Sequence, residues 1–332
     1  MRCSACRFVK WVALSCMLIV VGCSDDSGEA ASGGSAAGSS APMLACSGKP
    51  GALRGRSLQS LMAGGLNRSF IHYAPQTLDP NTPAPVVIVP HGYMMTADMM
   101  FAITRYAELA DREKIVVLFP NGQPGTGLLA GPWNIGSADC ASSLGVLPVA
   151  SGDDNAFIDA MLSFAEADQC IDRNHMYMTG FSMGGYLSNH TGCVRPDIRA
   201  VAPHSGGVHD LSMCASQSKP VLVMHFEGDA LIPYTCGAQA RDRWVTFNKC
   251  QASAPMLTPV SGGKCEYYAG CQPGGQVGMC SFAIPAGSSE PYPGHAWSGG
   301  SKQGSAGGAN YAIPATESAT ELSWAFFKKY AW

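Results

Sequence analysis

A chain of 332 residues that is 46% hydrophobic and 14% charged has a globular composition, which excludes both highly charged disorder and the repeated apolar runs of a multi-span membrane protein. The 21 Lys and Arg balance 24 Asp and Glu, for a net charge of −3 without basic blocks, so the chain lacks the electrostatic footprint of a nucleic-acid binder. At this length one large α/β domain is the expectation.

The first element is an address. Arg2, Arg7 and Lys10 precede an apolar stretch over residues 11–21 that is too short to span comfortably, and the pattern reads as a signal segment over residues 1–22. Val20-Val21-Gly22-Cys23 resembles the lipobox of bacterial lipoproteins, which implies that Cys23 becomes the lipidated N-terminus and anchors the protein to a membrane. An ordinary secretory signal is the alternative, and both export the protein. Ser24 leans toward the outer membrane. Residues 23–45, dominated by Ser, Gly and Ala, read as a tether, and removal of residues 1–22 lowers the net charge to −6. Residues 46–332 are expected to form the folded domain.

Within it, apolar runs at 70–73, 86–89, 115–119, 176–178, 200–202 and 221–226, with a weaker one at 281–284, predict buried strands, most of them ending in turn residues. Between them, Met99, Ile103, Tyr106, Ala107 and Ala110 recur at helical spacing. Asp154 is placed to cap a helix carrying Phe157, Met161, Phe164 and Ala165, and residues 186–193 form a further helical stretch. Ser318-Ala319-Thr320-Glu321 is a capping-box pattern before a closing helix with Leu322, Ala325, Phe326 and Tyr330 on one stripe. This alternation predicts an α/β sandwich around a mostly parallel sheet.

Of 14 cysteines, Cys3, Cys6 and Cys16 leave with the signal and Cys23 takes the lipid. The ten that remain, Cys46, Cys140, Cys170, Cys193, Cys214, Cys236, Cys250, Cys265, Cys271 and Cys280, are an even, scattered set. In an exported chain they predict up to five disulfides of undetermined pairing and no metal site.

In such sheets the working residues follow the strands. After the run 176–178 comes Gly180-Phe181-Ser182-Met183-Gly184-Gly185, a G-x-S-x-G pattern in strand, turn and helix context. Such a turn is sharp and exposes the serine hydroxyl, and the flanking glycines give it room. A serine nucleophile needs an acid and then a base in chain order. Asp229 follows the run 221–226 at a turn and is preferred over its neighbour Glu227; His295 is the one histidine after Asp229. His72, His175, His190 and His225 read as structural, while His204 and His209 are placed to border the site. The oxyanion hole falls to the amides of Met183, after the nucleophile, and Tyr93, after the strand ending before Pro90-His91-Gly92, with His91 shaping the loop. Trp133, Tyr93, Tyr234 and Trp297 are candidates for an aromatic wall contacting substrate.

The segment 180–185, His91-Gly92, the stretch from His225 to Asp229 with Pro233-Tyr234, and Gly294-His295-Ala296-Trp297 resemble those of secreted α/β-hydrolase esterases of the feruloyl esterase, acetylxylan esterase and polyhydroxybutyrate depolymerase type. Cys46-Ser47-Gly48-Lys49, Trp133-Asn134, Asp153-Asp154-Asn155-Ala156-Phe157 and Cys170-Ile171-Asp172 extend the resemblance over residues 46–332. The resemblance implies an α/β-hydrolase fold and a serine esterase that works through an acyl-enzyme without metal or cofactor. The implied substrate is a phenolic or acetyl ester on plant cell-wall polysaccharide, with polyester depolymerisation as the alternative. A non-catalytic surface-binding protein on the same fold is a further alternative. Residues 265–280 and 298–308, which match no assignable pattern, leave the substrate open.

Overall fold

The computed structural model describes residues 46–331 apart from 125–129, 137–138, 141, 144, 146, 149, 216 and 303–309. The signal segment 1–22, Cys23, the tether 23–45, part of the stretch 298–308 and Trp332 lie outside the described residues. Strands β1 (Gly55–Ala63) and β2 (Leu66–Ala74) form an antiparallel hairpin. Its two-residue connection, Gly64-Gly65, has positive φ at both positions, the backbone that a primed hairpin turn requires.

Strand β2 pairs antiparallel with β4 (Val116–Pro120). A parallel block follows: β4, β3 (Ala84–Ile88), β5 (Ile171–Phe181), β6 (Ala200–His204), β7 (Pro220–Phe226) and β10 (Gln276–Phe282). Beyond β10 the sheet closes with antiparallel β9 (Gly263–Tyr268) and β8 (Met256–Val260), giving ten strands in the order β1-β2-β4-β3-β5-β6-β7-β10-β9-β8.

Because side chains alternate along a strand, each apolar run feeds two cores. Val86, Ile88, Met176 and Met178 face α3 (Asp154–Asp168), α4 (Met183–Val194) and α5 (Tyr234–Phe247). Val87, Val89, Tyr177 and Phe181 face α1 (Ala97–Thr104), α2 (Tyr106–Glu113) and α6 (Ala319–Phe327). A mostly parallel sheet with helices on both faces is the α/β-hydrolase fold. No helix among the described residues is long and apolar enough to cross a membrane.

The structure departs from the sequence expectations in several places. The stripe from Met99 to Ala110 is two helices, broken where Arg105 takes φ 59°. The cap of α3 is Asp153, whose side chain accepts from the Ala156 amide at 2.9 Å; Asp154 is instead buried against Arg68. The last parallel strand starts at Gln276, ahead of the expected 281–284. His175 lies inside β5 and pairs with Asp172 at 2.6 Å. All ten cysteines between Cys46 and Cys280 are bridged: Cys46–Cys170, Cys140–Cys236, Cys193–Cys214, Cys250–Cys271 and Cys265–Cys280. The last of these joins directly paired residues of β9 and β10.

Candidate active site

Strand β5 ends at Phe181 and α4 begins at Met183, which leaves Ser182 alone on the turn with φ 55° and ψ −119°. A non-glycine residue held there costs about 1–3 kcal/mol, so its surroundings must fix it. The Ser182 amide donates to the His204 carbonyl at 2.9 Å, and the Ser182 carbonyl accepts from the Gly185 and Tyr186 amides at 2.8 and 3.1 Å. The glycines make room. A Cβ on Gly184 would overlap the Pro90 carbonyl, and one on Gly92 would stand 3.0 Å from the Ser182 Cβ. The loop after β3 therefore lies directly against the candidate nucleophile.

Asp229 sits in the turn after β7. Its Oδ1 accepts from the Leu231 and Ile232 amides, both at 2.9 Å, and its Oδ2 accepts from His295 Nδ1 at 2.9 Å. Both side chains are buried. Burial pushes the Asp229 carboxyl up, but hydrogen bonds from His225 and His295 outweigh it and hold the group well below the usual carboxylate range. Asp229 is thus an anion whose oxygens fix the hydrogen on His295 Nδ1. The His295 ring packs on Phe181, the residue before Ser182, with ring centroids 4.7 Å apart, and Tyr311 approaches its edge at 6.4 Å. The structure thus brings Asp229 and His295 into a shared hydrogen bond, with Phe181 linking the imidazole to the turn that carries Ser182.

Met183 is the first residue of α4, where a helix leaves its amide without an intrahelical acceptor. Tyr93 follows Gly92 in the abutting loop. His91 holds this loop from beneath: its buried Nδ1 donates to the Gly92 carbonyl at 2.6 Å, and its Nε2 accepts from the Gly122 amide at 2.8 Å. Burial pushes the His91 imidazole down to about 4, so it stays neutral and keeps both roles.

The aromatic wall is corrected in two of its four members, Trp297 and Trp133. Trp297 is fully buried, its Nε1 donating to Thr320 Oγ1 at 3.1 Å and its ring stacked on His204. Trp133 is buried beneath the loop, where its Nε1 donates to the His91 carbonyl at 2.8 Å. Tyr234 turns its hydroxyl to Ser281 Oγ at 2.6 Å and its ring edge to His225. The two indoles are large enough to be core, and burial decided them, whereas Tyr234 is only half-buried. Tyr93 alone is open, 41% exposed, and beside it stands Met94, 53% exposed, which sequence reasoning did not single out.

Among the other histidines, His204 is enclosed by Phe181, Phe226, Phe282 and Trp297, and its Nε2 accepts from the Ser298 amide at 3.2 Å. Burial holds it well below its ordinary value. Its carbonyl accepts from the Ser182 amide. His209 packs on His190 instead, with ring centroids 4.8 Å apart. A cavity of about 730 Å³ on the flank of α5, between Leu211, Gln239, Arg243 and Phe247, includes no candidate site residue in its lining. Among the described residues no group of three or more His, Cys, Asp or Glu is arranged to hold a metal ion.

No protein-family model matches the chain. It is 39% identical over 132 residues to feruloyl esterase D of Neurospora crassa, a match covering 38% of this chain and 45% of that protein. It is 27% identical over 221 residues to feruloyl esterase B of Piromyces equi, covering 60% of this chain and 38% of that one. The chain thus spans less than half the length of these curated relatives. Among solved structures, an acetyl xylan esterase from Aspergillus awamori superposes with a TM-score of 0.53 at 17% identity, covering 68% of this chain and 92% of that one. The chain therefore resembles feruloyl esterases in sequence over part of its length, and it shares the α/β-hydrolase fold with the acetyl xylan esterase.

Proposed function

We propose that the chain is an exported serine carboxylic-ester hydrolase that cleaves phenolic or acetyl esters of plant cell-wall polysaccharide. The reading is carried by the buried Asp229 carboxylate on His295 Nδ1, with the His295 ring packed on Phe181, the residue before Ser182, which itself holds a positive φ. With Nδ1 committed to Asp229, the His295 Nε2 lone pair is the base. It takes the Ser182 proton as Oγ attacks the ester carbonyl, and the amides of Met183 and Tyr93 receive the oxyanion. His295 then protonates the departing alkoxide, and water, deprotonated by the same nitrogen, hydrolyses the acyl-enzyme to acid and free Ser182. The chemistry draws on no metal or cofactor.

The substrate class is supported by sequence similarity to feruloyl esterases over part of the chain. Five disulfides support export, because such bonds persist in oxidising compartments. The anchor at Cys23, the signal over residues 1–22, the tether over residues 23–45 and a single catalytic domain over 46–332 complete the proposal and rest on the sequence. The test compares initial hydrolysis of methyl ferulate, acetylated xylan and amorphous polyhydroxybutyrate by the purified protein, with Ser182→Ala as the blank. Release from either of the first two, reduced about 10⁴-fold or more in the variant, supports the proposal. Release from the polyester alone replaces its substrate. No release from any of them by a folded, probe-reactive protein rejects the substrate class.

A further inference from the structure

The Asp229 carboxylate has more partners than orientation of His295 requires. His225, the sixth residue of β7, brings its fully buried Nε2 to 3.4 Å from Asp229 Oδ2, the oxygen that also binds His295. The same Nε2 lies 2.9 Å from the Ile232 carbonyl. Both neighbours are acceptors, so Nε2 carries the hydrogen. On the far side of the ring Nδ1 is buried with no hydrogen-bond partner among the described residues. There α5 presses on it through Gly237, where a Cβ would overlap Nδ1. A hydrogen on Nδ1 would find no acceptor there, so the ring presents a single useful donor edge at Nε2.

That edge spans a small loop. The Ile232 amide donates to Asp229 Oδ1, and the Ile232 carbonyl accepts from His225, so one imidazole closes the turn that presents the carboxylate. The other titratable groups around this carboxylate are His295, His204 on β6, Tyr186 on α4 and, edge-on to His225, Tyr234 on α5. Of these, only His295 shares a carboxylate oxygen with His225.

We propose that His225 is a positioning residue that braces Asp229 through a single Nε2–H, setting both the aim of the carboxylate and its basicity toward His295. The proposal rests on the serine-hydrolase reading above. Without this donor the anion is less stabilised and more basic, so the imidazolium form of His295 is favoured and its deprotonation moves to higher pH. The acid limb of kcat/KM reports that deprotonation.

The full-length protein and three variants decide it. His225→Asn keeps a polar side chain that ends near the Nδ1 position, whereas His225→Gln extends its amide to where Nε2 stood. Expected for the Asn variant are a roughly tenfold fall in kcat with KM little changed and an acid limb raised by about half a pH unit, with Gln restoring most of both. A merely structural role would lower stability and leave the limb in place. If Ser182→Ala is inactive while His225→Asn keeps the wild-type kcat and acid limb, this inference fails and the serine reading stands. If Ser182→Ala hydrolyses normally, the serine reading itself fails. Should His225→Asn not fold, ¹⁵N-histidine spectra of the wild-type protein decide instead. An Nε2–H on His225 at the pH of activity is expected; an Nδ1–H tautomer with a bare Nε2 overturns the proposal.

Discussion

Arg68 lies outside the proposed triad yet is linked to the loop proposed to hold the oxyanion. Its Nη2 donates to Asp154 Oδ1 at 2.8 Å, and its guanidinium lies over the Phe157 ring at 4.2 Å, with both charged side chains buried. Asp154 Oδ2 accepts from the Asn134 amide at 2.6 Å, next to Trp133, whose indole holds the His91 carbonyl. Breaking a buried pair strands the remaining charge, so Arg68→Met should cost about 3–5 kcal/mol. The readout is a fall in Tm of roughly 5–15 °C. The double variant Arg68→Met with Asp154→Leu should recover part of it; a double variant as damaged as the sum of the singles would deny the coupling. At this scale the sequence was informative where chain order constrained chemistry. One histidine follows Asp229, and that histidine shares its hydrogen bond. It was silent where only the folded turn creates the contact: His225 and Asp229 lie four residues apart, and no pattern marks that β7 and its turn fold one onto the other. Trp133 and Trp297 show the converse limit, because residue type does not say whether an indole lines a surface or fills a core.

Among elements, the buried strands were legible because continuous apolar runs have few other readings, and the closing helix was legible from its cap, Ser318 accepting from the Glu321 amide. Strand β1 was not, since it leaves Leu58 58% and Met62 67% exposed, so its hydrophobic residues do not alternate inward. The break between α1 and α2 was hidden for another reason. Arg105 occupies a left-handed position that favours glycine, while the apolar stripe runs on across it. Arg105 is exposed and pairs with Glu108 in the first turn of α2, an ion pair of little energetic weight. Arg105→Gly should therefore be neutral or stabilising, by up to about 1 kcal/mol, whereas the β-branched Arg105→Val should destabilise. Equal losses in urea midpoint for both would show that the side chain, not the backbone conformation, matters there.

The whole molecule carries an acid sensitivity that its buried imidazoles set. Burial lowers His72, His91, His190, His204 and His209, with His91 and His209 pushed down to about 4. A folded-state value below the unfolded 6.5 means that the unfolded chain binds the proton first. The stability is therefore complete above about pH 6.5 and drains as pH falls toward 4, at up to about 1.4 kcal/mol per pH unit for each group. Asp229 acts lower down: its depressed carboxyl contributes stability above the ordinary carboxylate range, which is lost as pH drops below about 4. Urea midpoints should decline steadily from pH 7 to 4.5; a flat profile over that interval would show that these histidines are protonated in the folded protein. The scatter of ten cysteines foretold disulfides in number, but the pairing follows from the sheet and its flanking helices, which spacing alone does not encode.

The central claim is that Ser182 is the nucleophile, activated by His295 on Asp229. Its most direct test is to react the full-length protein with a fluorophosphonate ester and locate the adduct by peptide mass spectrometry, in parallel with Asp229→Asn. A single adduct on Ser182, formed in step with loss of ester hydrolysis and strongly slowed in the Asp229 variant, is the predicted result. Ester hydrolysis that survives complete labelling of Ser182, or an adduct on another serine, would contradict it.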